Sequence, residues 1–144
     1  MICKPIDDAA NAIRLRQMAK KIDMKKTVVI GASNNPGRYA YRATEMLQEY
    51  GHEVVPVGIK KGEVAGKSIL HLKDCPEIEG VDTVTLYVGP QNQEAWYDYI
   101  LGLNPKRIIF NPGTENMAFE NRAQKQGIET IEGCTLVMLS TRQY

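Results

Sequence analysis

The chain has 144 residues, which is the usual size of one folded domain. Its 18 Lys and Arg nearly balance its 17 Asp and Glu, so the charge predicts neither a nucleic-acid partner nor an anionic membrane surface. The three cysteines are widely spaced, which predicts a reducing compartment and neither a disulfide framework nor a zinc site. The N-terminus has no signal-peptide pattern and no apolar run is long enough to span a membrane, so we expect a cytoplasmic protein without a membrane segment.

Helical and strand spacing of apolar residues alternate along the chain. The predicted helices cover residues 7–22, 39–49, 91–101 and 115–126, the last with Thr114 as its N-cap. The predicted strands cover residues 27–30, 54–57, 84–88, 107–110 and 128–131. Between the second and third strands the pattern is less clear, and residues 68–72 fit either a short helical turn or a linking strand.

Helices between short apolar strands predict a parallel sheet with right-handed crossovers. The expected fold class is α/β, a doubly wound parallel sheet of about five strands in a three-layer, Rossmann-like sandwich. We expect residues 1–144 to form one domain, with a helix in residues 1–25 packed on it. Ligands of such sheets bind outside the carboxyl ends of the strands. Four strand ends, at residues 31–38, 58–61, 88–90 and 111–114, are rich in Gly, Pro, Asn or Lys, which suit close approach to a ligand.

The strongest functional signal is the turn after the first strand, with the sequence Gly31-Ala32-Ser33-Asn34-Asn35-Pro36-Gly37-Arg38. Outward backbone N–H groups and the dipole of the following helix would favour a phosphate there. The turn departs from the dinucleotide motif G-x-G-x-x-G, because Ser33 and Pro36 replace the second and third glycines. It also departs from G-x-x-x-x-G-K-[ST], because Arg38-Tyr39 replaces the Lys-Ser/Thr pair. The alternative to a phosphate site is an ordinary surface turn.

The second strand end separates the possible ligands. An NAD site places an Asp or Glu about twenty residues after the glycines, where it bonds the ribose. Here the corresponding residues are Gly58, Ile59, Lys60 and Lys61. Lysines suit a ligand with an additional phosphate on its ribose, and both NADP and coenzyme A meet that description.

At these residues the chain resembles the small stand-alone CoA-binding proteins, which are similar to the N-terminal domain of the succinyl-CoA ligase α subunit. The likeness covers about residues 26–134 and rests on the first turn, the Val-Pro-Val strand, Tyr87-Val88-Gly89-Pro90 and Asn111-Pro112-Gly113. It implies that the four strand ends hold the ADP part of coenzyme A. The first turn would cradle the pyrophosphate, and Lys60 or Lys61 would meet the 3′-phosphate. The third strand end would pack near adenine, and the fourth near the phosphates or pantetheine.

The expected binding residues share a position at these strand ends. They are Gly31, Ala32, Ser33, Asn35, Pro36, Arg38, Tyr41, Lys60, Lys61, Val88, Gly89, Pro90, Asn111, Pro112 and Gly113. The chain departs from the family after the second strand, where many members have Asn-Pro and this chain has Gly58-Ile59. Which lysine contacts the phosphate therefore stays open at this point.

The resemblance indicates binding without chemistry, because the ligase carries its phosphorylated histidine in a second domain. We interpret His52 and His71 as surface or packing residues, and no nucleophile, metal-ligand cluster or carboxylate pair has convincing spacing. Cys134 is either a small packing residue or a thiol that faces the coenzyme. We expect a non-enzymatic monomer or homodimer that binds coenzyme A or an acyl-CoA. The alternatives are an NADP-binding oxidoreductase-like domain and a regulatory module that has lost its ligand.

Overall fold

Strands and helices alternate along residues 24–144, which are the residues that the computed structural model describes. The strands are Thr27–Ile30 (β1), Val54–Gly58 (β2), Glu63–Val64 (β3), Lys67–Ser68 (β4), Leu70–His71 (β5), Thr83–Leu86 (β6), Arg107–Phe110 (β7) and Glu129–Glu132 (β8). The α-helices are Tyr39–Glu49 (α1), Tyr97–Gly102 (α2), Met117–Lys125 (α3) and Thr135–Ser140 (α4). Single 3₁₀ turns cover Leu72–Asp74, Pro90–Asn92 and Glu94–Trp96. The predicted helix over residues 7–22 lies outside the described residues.

Six strands form a parallel sheet in the order β5-β2-β1-β6-β7-β8, while β3 and β4 form a small antiparallel ribbon. Numbered within the sheet, this order is 3-2-1-4-5-6, that of doubly wound dinucleotide-binding folds. The direction of winding reverses between β1 and β6. A crevice therefore opens at the carboxyl ends of these two strands, where ligands of open α/β sheets bind.

The sheet is covered on both faces, so its central strands are buried throughout. Successive strand side chains point to opposite faces, and two apolar clusters result. One contains Val28 and Ile30 of β1 and packs under Phe119 of α3, together with residues of α2. The other contains Val29 and packs under Leu47 of α1, together with a residue of α4. The predicted three-layer α/β fold is confirmed.

The predicted count of about five strands is corrected to six for the main sheet of the described residues. The additional strand is β5, whose Leu70 and His71 pair with Val57 and Gly58 of β2 at the sheet edge. Residues 68–72, left open between strand and turn, contain both, because the chain enters a 3₁₀ turn at Leu72 directly after β5. A two-residue strand is too short to show an apolar alternation in the sequence.

Helix starts were predicted less well than strands. Two 3₁₀ turns replace the first half of the helix predicted over residues 91–101, and Trp96 has φ −112° and ψ 2°, which is not helical. The N-cap of α3 is Asn116, whose side chain accepts from the N–H of Phe119 at 3.2 Å. Thr114 instead donates its hydroxyl to the carbonyl oxygen of Asn111 at 2.8 Å, so its prediction as the N-cap is wrong. No helix of the described residues is long and apolar enough to cross a membrane.

Candidate functional site

The chain turns sharply where β1 ends, at Gly31. Its φ is +98°, a value that glycine adopts without strain. A Cβ at this position would lie 2.9 Å from the backbone carbonyl atoms of Tyr87. Gly31 therefore lets the loops after β1 and β6 touch at the switch point of the sheet, as expected of the first glycine of such a turn.

A second close approach joins the end of β2 to the same loop. Gly58 is buried, and a Cβ on it would clash with the carbonyl oxygen of Ala32. The backbone N–H groups of Gly31 and Ala32 both donate to the carbonyl of Val57, at 2.9 and 3.0 Å. Gly58, at the position where the chain departs from the family pattern, therefore lets the end of β2 pack directly against the loop after β1.

The turn satisfies several of its own amides, which corrects the expectation that they face outward. Ser33 Oγ accepts from the N–H of Asn35 at 3.0 Å, and Asn35 Oδ1 accepts from the N–H of Gly37 at 2.9 Å. The hydroxyl proton of Ser33 is still able to donate. At the start of α1, the N–H groups of Tyr39 and Ala40 have no carbonyl within the helix to donate to. The anion-binding capacity therefore lies in the first turn of α1 and in the Ser33 hydroxyl.

A cavity of about 970 Å³ lies at this carboxyl edge, across the switch point. The loops after β1, β2, β6 and β7 and the 3₁₀ turns that follow β5 and β6 enclose it. Its lining residues are Gly31, Ala32, Ser33, Arg38, Tyr39, Ala40, Ile59, Lys60, Leu72, Tyr87, Val88, Gly89, Gln91, Asn92, Ala95, Trp96, Pro112, Gly113 and Thr114. All four predicted strand ends thus meet at one cavity.

The structure brings together nine of the fifteen predicted site residues. Those that line the cavity are Gly31, Ala32, Ser33, Arg38, Lys60, Val88, Gly89, Pro112 and Gly113. Those that do not line it are Asn35, Pro36, Tyr41, Lys61, Pro90 and Asn111. Ligand contacts by any of the fifteen stay predictions, but the two lysines are now distinguished by position.

Asn111 supports the site from beneath. It is 2% exposed, and its Nδ2 donates to Thr85 Oγ1 at 2.6 Å and to the carbonyl of Leu86 at 2.8 Å. Its Oδ1 accepts from the N–H of Thr135 at 2.9 Å. The side chain therefore joins β6, the end of β7 and the start of α4, and its polar atoms are engaged within the protein.

Several lining residues were missed from the sequence. Tyr39 and Ile59 line the cavity and are 76% and 62% exposed. Tyr39 directly follows Arg38 and Ile59 directly precedes Lys60, so their place beside a predicted cation was the signal that could have identified them. Trp96 is half-buried: it packs against the apolar cluster that contains Val28 and also lines the cavity. Cys134 does not line the cavity.

The charged side chains that line the cavity in the described residues are positive. Arg38 and Lys60 reach it from the loops after β1 and β2, and none of the described residues that line it is an Asp or Glu. No carboxylate of residues 24–144 pairs with either cation. Burial raises the pKa of the Tyr87 hydroxyl above its ordinary value, so this group is neutral at physiological pH. An anionic ligand fits this lining.

Sheet order, glycine turn and cavity together define a Rossmann-like α/β protein. The chain belongs to the CoA binding domain family, which matches residues 25–140. No curated protein matches it. This membership confirms the family likeness seen in the sequence, and the family description names coenzyme A and gives no support to NADP.

Solved structures share the fold. A crystal structure of an uncharacterized protein is 58% identical, with a TM-score of 0.81 over 84% of this chain and 98% of that one. A conserved hypothetical protein from Pyrococcus furiosus is 26% identical, with a TM-score of 0.67 over 79% of this chain and 98% of that one. A Thermus thermophilus protein is 24% identical, with a TM-score of 0.74 over 90% and 98% of the two chains, and shows the fold alone.

Proposed function

We propose that this chain binds coenzyme A or an acyl-CoA in the carboxyl-edge cavity and does not catalyse a reaction on it. The observation that carries the proposal is the cavity itself. It lies at the switch point of a CoA binding domain, and its only charged lining residues within residues 24–144 are the cations Arg38 and Lys60. Coenzyme A carries a pyrophosphate and a ribose 3′-phosphate, so two separated cations match its two anionic groups.

The pyrophosphate fits the end of β1. Arg38 supplies a guanidinium with several fixed donors, which suits phosphate oxygens. Ser33, Tyr39 and Ala40 line the same cavity, so the Ser33 hydroxyl and the free N–H groups of the first turn of α1 are available there, and the dipole of α1 adds a favourable potential. Lys60, on the loop after β2, is then the donor for the 3′-phosphate.

The remaining lining suits the uncharged parts of the ligand. Val88, Ala95, Trp96 and Leu72 give the cavity an apolar side between the 3₁₀ turns and the end of β6. An aromatic side chain such as Trp96 offers a flat apolar surface with a polar N–H at its edge. We assign adenine to the β6 side and the pantetheine arm to the β7 side, near Gly113.

The lining also favours binding over catalysis. Within residues 24–144 it contains no carboxylate, imidazole or thiol that could act as the general base for a Ser or Lys nucleophile. Tyr87 is present, but its raised pKa makes it a poor base at neutral pH. Among residues 24–144 no group of three His, Cys, Asp or Glu is placed to hold a metal ion.

A thermal-shift panel with coenzyme A, acetyl-CoA, NADP, NAD and ATP tests the ligand. A ligand that binds only the folded state, at 100 times its Kd, stabilises it by about 2.7 kcal/mol. We expect coenzyme A and acetyl-CoA to raise the melting temperature most. A rise with NADP alone would contradict the proposal, and no rise with any ligand would favour a module that has lost its ligand.

The non-enzymatic part has its own test. Acetyl-CoA incubated with the protein should stay intact, with free thiol forming at the rate of a protein-free control. Faster thiol release that grows in proportion to protein concentration would show that the chain is an enzyme.

A further inference from the structure

Gln93 is a polar side chain that is only 1% exposed, between the two 3₁₀ turns that follow β6. Its Nε2 donates to the carbonyl of Val88 at 2.8 Å and to the carbonyl of Thr114 at 2.8 Å. Val88 and Thr114 both line the cavity, one on the loop after β6 and the other on the loop after β7. Gln93 therefore joins two walls of the candidate site without lining it.

A second amide, that of the partly buried Asn116, fixes the orientation of the first. Asn116 Nδ2 donates to Gln93 Oε1 at 3.0 Å and to the hydroxyl of Tyr97 at 2.6 Å. Its Oδ1 caps α3 by accepting from the N–H of Phe119. Both donors and the acceptor of the Gln93 amide are thus engaged, and satisfied buried amides hold one geometry.

The hydrogen bonds of Gln93 lie beyond the last paired residues of β6 and β7. Backbone pairing between β6 and β7 ends at Leu86 and Phe110, so the sheet itself does not hold the two loops together beyond that pair. Asn111 bonds the carbonyl of Leu86 next to the last pair. Gln93 acts two residues further out, at Val88, where the loops already form the cavity wall.

We propose that Gln93 is a positioning residue for coenzyme A, which sets the separation of the β6 and β7 loops and hence the width of the cavity between Val88 and Thr114. This inference rests on the proposed function. A neutral amide suits the role because it presents two donors to two carbonyl oxygens and brings no charge into the interior.

The first test is Gln93→Met, which keeps the length of the side chain and removes its hydrogen bonds. We expect the affinity for coenzyme A to fall about tenfold in isothermal titration, since two carbonyls lose their partners and the loops relax. The control is Val54→Ala, which removes buried methyl groups at the far, amino end of β2. It should lose stability and keep wild-type affinity. Equal affinity of Gln93→Met and wild type would overturn the inference.

The second test uses Gln93→Glu and pH. An ionised Glu would face two carbonyl oxygens, whereas a protonated one regains a single donor. The affinity of this variant, divided by that of wild type at the same pH, should therefore rise as the pH falls from about 8 to 5. The same ratio for Gln93→Met should stay constant. A constant ratio for Gln93→Glu would contradict a hydrogen-bonding role.

Hydrogen exchange without ligand separates the two proposals. Among the non-proline residues, the amides of residues 88–92 and 113–116 should exchange faster in Gln93→Met than in Val54→Ala, and those of residues 54–57 should not exchange faster in Gln93→Met than in wild type. If wild-type protein does not bind coenzyme A, the proposed function fails, but faster loop exchange would still establish the link between the loops. Unchanged exchange would overturn the inference even if coenzyme A binds.

Discussion

Lys60 and Lys61 are neighbours in sequence, but only Lys60 lines the cavity. Lys60→Ala should weaken coenzyme A about 5- to 10-fold, because a charge-assisted bond to the 3′-phosphate is lost. It should weaken 3′-dephospho-coenzyme A less than about 2-fold, because that ligand lacks the phosphate. Isothermal titration of both ligands measures the difference, with Lys61→Ala as the matched control that should change neither affinity. Equal weakening of the two ligands by Lys60→Ala would show that its contact lies elsewhere.

Gly58 is a second residue whose role is testable alone. In Gly58→Ala the added Cβ meets the carbonyl oxygen of Ala32, so strand or loop must shift. We expect the free energy of unfolding to fall by about 1–3 kcal/mol, as for other overpacked sites. Gly102→Ala is the control, because a Cβ there has no neighbour within 4 Å and the position is the last of α2. Urea denaturation should show it as stable as wild type or more so; a stability of Gly58→Ala equal to that of wild type would mean that the close approach is unimportant.

Polar residue types predicted the site only in part, for a physical reason visible at Asn35 and Asn111. Both lie in the right turns, yet their side chains bond backbone groups of the protein. A short amide beside a turn serves a ligand or the turn equally well as far as its sequence position shows. Gly31 was predicted as a cavity residue and lines the cavity, because a position with positive φ and close packing accepts few residues other than glycine.

At the scale of elements, a neutral histidine contributes to stability at the amino ends of the strands, opposite the cavity. His52 precedes β2, and its Nδ1 accepts from the N–H of Lys25 at 3.0 Å, while its ring lies 4.8 Å from that of Tyr144. Only a neutral imidazole accepts this bond. Burial, and then the charges of Lys25 and Arg107, lower the pKa of His52 in the folded state.

The sign of the pH effect follows from this lowered pKa. The unfolded chain takes up a proton near pH 6.5 and the folded protein only at lower pH, so His52 stabilises the fold above that value. Stability should therefore fall as the pH drops below about 6.5. His52→Asn keeps an acceptor near the Nδ1 position and removes the titration, so its unfolding free energy should fall less between pH 7.5 and 5. An identical decline in both proteins would contradict this role.

Helix prediction failed where side chains compete with helical bonding. Gln93 bonds two loop carbonyls, and the chain around it forms 3₁₀ turns where a continuous helix was expected. One of these partners, Thr114, lies beyond β7 in the chain, so no local sequence pattern indicates the bond. By contrast, β1, β7 and α1 were predicted with their observed bounds, because each has a strong apolar period and, for α1, a glycine stop at Gly51 with φ +88°.

For the whole molecule, alternation of helices and strands was enough to predict a doubly wound sheet and the edge at which the cavity lies. The position of β5 was not predictable, because two residues carry too little apolar surface to leave a pattern. The cavity also depends on contacts distant in sequence, such as Gly31 against Tyr87 and Gln93 against Thr114. The spacing of the motifs predicted which strand ends border the cavity, whereas which of their side chains line it depends on the folded structure.

We propose that coenzyme A binds at the carboxyl edge of the sheet, with its pyrophosphate on Arg38. Isothermal titration of coenzyme A into wild type, Arg38→Ala and Arg42→Ala tests it most directly. Arg42 lies one turn further along α1, pairs with Glu45 and Glu49, and does not line the cavity. We predict saturable one-site binding to wild type and Arg42→Ala, and about tenfold weaker binding to Arg38→Ala. No binding to wild type would contradict coenzyme A as the ligand, and equal affinity in all three proteins would contradict a pyrophosphate contact at Arg38.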